Sequence, residues 1–97
     1  MEIKKEAVAG TVESSDAMVT IAPNPTGAIE IHLKSVVERQ FGRQIRKLVE
    51  ETLKNLKIKS AIVRIEDKGA LDAVLRARLE AAADRASEQK VNWKERA

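Results

Sequence analysis

Residues 28–67, "AIEIHLKSVVERQFGRQIRKLVEETLKNLKIKSAIVRIED", change their apolar period twice, and this double change constrains the fold more than any other feature of the chain. Over residues 28–35 apolar and polar side chains alternate. Ile29, Ile31 and Leu33 fall on one face and Glu30, His32 and Lys34 on the other, the two-residue repeat of a half-buried strand. From Ser35 to Asn55 the spacing lengthens to three and four, placing Val37, Phe41, Ile45, Leu48, Thr52 and Leu56 along one helical face. Ser35 and Glu38 stand in the relation of a capping box, in which each side chain satisfies an orphan amide at the helix start. Gly42 costs this helix about 1 kcal/mol against Ala, and Asn55 offers a left-handed stop. Residues 57–67 return to the period of two, with Ala61, Val63 and Ile65 on one side. Strand, helix and strand in that order predict a right-handed parallel crossover.

Two shorter strands precede this unit. Val8, Gly10 and Val12 alternate with Ala9, Thr11 and Glu13, and "AMVTIA" (residues 17–22) forms the second strand, joined to the first through "ESSD" (residues 13–16). "PNPTG" (residues 23–27) ends it, because Pro has no amide hydrogen for the ladder and Gly admits turn conformations. Residues 67–87 read as a second helix, capped most simply by Asp67, with Leu71, Val74, Leu75, Leu79 and Ala82 on its buried side. The order β-β-β-α-β-α predicts an α+β fold, a mixed four-stranded sheet with two helices on one face. The 97 residues make one domain, with the hairpin at about 7–23 and a polar tail at about 88–97 carrying Val91 and Trp93. Such a length buries roughly 60–70% of the surface exposed by the unfolded chain. With aromatics at 2%, Phe41 and Trp93 alone, the core must be built from Val, Ile, Leu and Ala.

Composition narrows the classes of function. The chain has no cysteine, which removes disulfides and thiolate metal sites and suits a reducing cytosol. The first six residues hold four charges with no apolar stretch behind them, unlike a signal peptide. No apolar run approaches the ~20 residues of a membrane span, so a cytoplasmic location is expected. The net charge of +3 is a mixture of 18 basic and 15 acidic residues, and only Arg39–Lys47 is locally of one sign. That segment motivates an alternative, a small nucleic-acid-binding domain; the scarcity of stacking aromatics and the interspersed acids count against it.

Resources for catalysis are few. His32 is the only imidazole and falls on the polar face of its strand, where a solvated role suffices. One His without Cys is poor support for a metal site, and Gly10, Gly27, Gly42 and Gly69 are too scattered for a phosphate loop. Glu66, Asp67 and Asp72 gather at a helix start, where capping and the helix dipole account for them. Arg76 and Arg78 project about 200° apart on a helix, so they form no single clamp and, with Lys68, read as a solvated face. The chain is not expected to be an enzyme. In "ESSD" the serines read as turn residues bonding local backbone. A serine at an exposed tip with no base beside it is a poor nucleophile, yet a good acceptor for a group attached by another enzyme.

At this point the residues meet a family. "AVAGTVESSDAMVTIAP", "SVVERQFGRQI" and "DKGALDAVLRARLEAA", in that order and nearly end to end, resemble the citrate lyase acyl carrier (gamma chain) family. The related carrier of malonate decarboxylase shares a hairpin of the V-x-S-x-D type, but its other segments fit less well, leaving a carrier of a related acyl substrate such as malonyl as an alternative. The resemblance implies a non-catalytic carrier whose Ser14 holds phosphoribosyl-dephospho-coenzyme A through a phosphodiester, flanked by Glu13 and Asp16. The family often has Gly in place of Ser15, which is the second candidate acceptor. The implied partners are an alpha subunit that exchanges acetyl for citrate, a beta subunit that cleaves the citryl thioester to oxaloacetate, and the transferase that attaches the group. Neither nucleic acid nor membrane is implied.

Overall fold

The structure, a computed structural model, describes residues 1–88. Its elements are β1 (Ala7–Gly10), β2 (Ala17–Ala22), β3 (Ile29–Ser35), α1 (Glu38–Asn55), β4 (Ala61–Asp67) and α2 (Asp72–Ala86). The strands form one sheet in the order β1-β2-β4-β3. β2 pairs antiparallel with both β1 and β4, while β3 lies parallel to β4, as the period changes over residues 28–67 predict. The fold is α+β with a mixed four-stranded sheet.

Alternation decides which face is covered. Ala17, Val19 and Ile21 of β2 and Ala61, Val63 and Ile65 of β4 are buried. Register stacks Val19 beside Ile65 and Ile21 beside Val63, with Leu33 and Ile31 completing the rows. Both helices pack on this face, α1 through Ile45, Leu48, Val49 and Leu53, α2 through Leu75, Leu79, Ala82, Ala83 and Ala86. Every hydrophobic side chain of this buried core is Val, Ile, Leu or Ala. The opposite face, including Met18, Thr20, His32, Arg64 and Glu66, carries no helix among the described residues.

The structure decides which side of β1 faces inward and corrects the helix boundaries expected from the sequence. In β1 the inward residue is Ala9, and Val8 is 45% exposed. The buried alanines of α2 face this part of the sheet, and Arg85 Nη1 donates to the Val8 carbonyl at 2.6 Å. The capping box is not formed. Ser35 closes β3, its hydroxyl donates to Asp67 Oδ2 at 2.7 Å and accepts the Val37 amide at 3.1 Å, and α1 starts after one further turn with no side-chain cap. Phe41 consequently sits before the buried stretch and is 44% exposed. At the other end the left-handed residue is Lys57 rather than Asn55; the amides of Lys57 and Ile58 donate to the carbonyls of Lys54 and Leu53, a Schellman closure that lets Ile58 enter the core. This closure delays β4 to Ala61. Asp67 ends β4 instead of capping α2. Its Oδ1 accepts the Ala70 amide at 3.0 Å, and Leu71, 75% exposed, occupies the N-cap position. No helix among the described residues is long and apolar enough to cross a membrane.

Candidate functional site

The hairpin between β1 and β2 is shaped by its backbone first. Gly10 has φ +89°, and a Cβ there would run into the Ala17 carbonyl oxygen, so only glycine lets the strands approach this closely. The tip is a four-residue turn in which the Asp16 amide donates to the Glu13 carbonyl at 3.1 Å. Ser14 and Ser15 are its corners, both exposed, and Ser15 has φ 66°. A positive φ confined to the third position is the pattern of a type II turn, where Gly is favoured. That is a physical reason for a glycine in place of Ser15.

Beyond the turn the hairpin is tied to the end of β4. The Ser15 amide donates to the Lys68 carbonyl and the Lys68 amide to the Asp16 carbonyl, both at 2.9 Å. The Asp16 side chain fixes the base of the turn. Arg78 of α2 donates Nε to Oδ1 at 3.0 Å and Nη2 to Oδ2 at 3.1 Å; Thr11 Oγ1 donates to Oδ2 and the Ala17 amide to Oδ1, each at 2.7 Å. The Arg78 hydrogen bonds foremost, then those from Thr11 and Ala17, hold the Asp16 carboxyl well below the usual carboxylate range, and the same pair raises Arg78.

Arg78 is therefore a clamp on the hairpin, not a solvated face residue. Arg76 is exposed and makes no ion pair among the described residues. The Lys68 ammonium lies 3.7 Å from Glu66, and it is the backbone of Lys68 that reaches the hairpin. His32 is on the open face of β3, in register with Arg64 and 3.2 Å from Glu30, with β4 between it and the hairpin strands. No serine–histidine pair is assembled, and no group of His, Asp and Glu among the described residues could hold a metal ion. Trp93 lies outside the described residues.

Ser14 thus stands at the outer corner of a fixed turn, and its hydroxyl has no hydrogen-bond partner among the described residues. The arrangement presents a hydroxyl and supplies no base to activate it.

Residues 4–86 match the family described as "ACP: Malonate decarboxylase delta subunit (MdcD)", which puts the chain in a class of small carrier subunits. The citrate lyase acyl carrier protein of Clostridium perfringens is 56% identical over 88 residues, covering 91% of this chain and 87% of its own. Those of Streptococcus mutans and Vibrio cholerae are 53% and 52% identical, over 98% and 96% of this chain and 94% and 96% of theirs. The chain belongs to the citrate lyase acyl carrier protein family, whose members are named as carriers and not as catalysts. Its fold is that of a chain in the crystal structure of a Pseudomonas malonate decarboxylase hetero-tetramer in complex with malonate, with a TM-score of 0.69 at 22% identity over 87% of this chain and 86% of the other.

Proposed function

We propose that the chain is the acyl carrier subunit of citrate lyase and that Ser14 is the residue to which its prosthetic group, phosphoribosyl-dephospho-coenzyme A, is attached. The observation that carries this reading is the unpartnered, exposed Ser14 hydroxyl on a turn whose base is locked by Asp16 and Arg78. The site suits a large phosphodiester-linked group, since the Ser14 corner is exposed among the described residues and α2 begins just after the loop whose Lys68 bonds the hairpin.

In the loading step the Ser14 oxygen attacks the activated phosphate of the donor. An O–P bond forms, the bond from phosphorus to the leaving group breaks, the leaving group departs with its electron pair, and the serine proton passes to a base on the transferase. The chain itself holds the hydroxyl in place. When bound, the group supplies a terminal thiol for thioester carriage of acyl units between the alpha and beta subunits. Tethering keeps the carried unit at ~mM effective concentration around both sites, and the fixed hairpin confines motion to the arm.

A malonyl-type substrate is the second reading, favoured by the description of the matching family. The 49–56% identity to citrate lyase carriers argues for citrate. Reconstitution with the citrate lyase subunits and the transferase tests the assignment. Ser14→Ala is expected to abolish both attachment and citrate cleavage with an unchanged circular dichroism spectrum, while Ser15→Ala keeps both. Full activity in Ser14→Ala would contradict the reading.

A further inference from the structure

The large apolar side chains left in solvent are unevenly placed. Of the six among the described residues, Val8, Val12, Ile29, Val36, Phe41 and Leu71, four lie at the end of the sheet that bears Ser14. Val12 belongs to the hairpin. Val36 follows β3, with its amide on the Asp67 carbonyl; Leu71 ends the loop after β4, whose Lys68 bonds the hairpin; Phe41 lies in the first turn of α1. The loop 67–71 therefore touches the serine hairpin on one side and Val36 on the other. Phe41 and Val37 line a groove here with Ile45 and Ala70, whose polar side is Gln44, Asp67 and Asp72. With strands ~4.8 Å apart, the ends of β4 and β3 lie one and two strand spacings from β2, the strand that leaves the turn.

One of these exposed positions, Leu71, breaks a local rule, and the partly buried Val37 beside Val36 does so too. The N-cap of α1 is Val37 and that of α2 is Leu71, and neither helix has a side-chain cap. Ser, Thr, Asp or Asn would stabilise either helix. Leu71 is also the most exposed of the six, at 75%. A position that gives up helix stability to hold a leucine in water has the character of a binding surface.

One partner must contact this surface. A long arm lets the partner subunits act at a distance from the domain, but the enzyme that loads Ser14 must bring the hydroxyl itself into its active site. It therefore covers the surroundings of the turn. Resting on the carrier reading above, we infer that Val36, Phe41 and Leu71 form the docking rim for the transferase that attaches the prosthetic group, and that the transferase meets them with an apolar surface beside its catalytic cleft.

Leu71→Asp separates recognition from stability, because an aspartate at that N-cap stabilises α2 while removing the apolar contact. The test is the rate of adduct formation on the full chain, followed by intact mass with transferase and its activated donor, together with the thermal midpoint. The expected result is a midpoint equal to or above that of wild type and a loading rate at least ~10-fold lower, the scale of losing one anchoring contact. Val36→Thr is expected to load more slowly too, and Ile29→Thr, at the far end of the sheet, to load normally. Normal loading of Leu71→Asp would overturn the inference, including the case in which that variant loads but fails to join the lyase subunits or loses self-association. Absence of any adduct on the wild-type chain would overturn the carrier reading and this inference with it.

Discussion

Asp16 and Arg78 are separated by 62 residues of sequence, yet they make the bidentate contact that fixes the serine turn. The sign of its pH dependence follows from the direction of the Asp16 shift. A carboxyl held below its unfolded value contributes stability that is present above that value, near 3.9 for aspartate, and lost as pH falls through the folded one. Titration by carbon-detected NMR should therefore find Asp16 still ionised at pH 3, and Arg78→Met should raise it toward the ordinary range, with the Thr11 and Ala17 hydrogen bonds still holding it lower. The same variant is expected to speed hydrogen exchange at the Ser15 amide roughly tenfold, as for a segment that loses one of its anchors while keeping its backbone bonds to Lys68. Ser15→Gly works in the opposite direction. Removing the side chain from a left-handed residue should stabilise the domain by about 1 kcal/mol, read by urea denaturation, with the adduct still on Ser14. Local spacing foretold the turn and its two hydroxyls. It could not foretell the clamp, because the partner of Asp16 comes from a distant helix and depends on how α2 crosses β1 and β2.

At the scale of elements, Asp67 is the joint of the fold. It is 2% exposed, and its carboxylate receives both the Ser35 hydroxyl at the end of β3 and the Ala70 amide before α2. Asp67→Ala leaves that hydroxyl and amide without their acceptor, and a cost of about 1–3 kcal/mol is expected in chemical denaturation. The contact of α2 with β1 and β2 is built from small side chains, with Ala82, Ala83 and Ala86 fully buried beside Ala9 and Ala17. Ala83→Leu should overpack it, costing about 1–3 kcal/mol and disturbing the placement of Arg78. Strand faces were legible because a period of two needs no knowledge of the partner: Val19 and Ile21, Val63 and Ile65 fall inward as alternation demands. Helix starts were not. Ser35 and Asp67 have the chemistry of N-caps, but they use it on each other across the sheet, and the helices begin later at Val37 and Leu71.

The whole molecule places its functions at one end. The hairpin tip, the ends of β3 and β4 and the starts of both helices meet there, while α2 finishes at the opposite end, where the Ala86 carbonyl accepts the Lys4 and Lys5 amides. This polarity suits a carrier, whose reactive arm must enter other proteins while the body stays outside. The central claim concerns one oxygen atom. Intact mass with peptide mapping, on protein isolated from cells that also make the lyase subunits and the modifying enzymes, tests it most directly. The account predicts a coenzyme-derived adduct confined to Ser14. An unmodified chain in the presence of active modifying enzymes, or an adduct on any other residue, would contradict it.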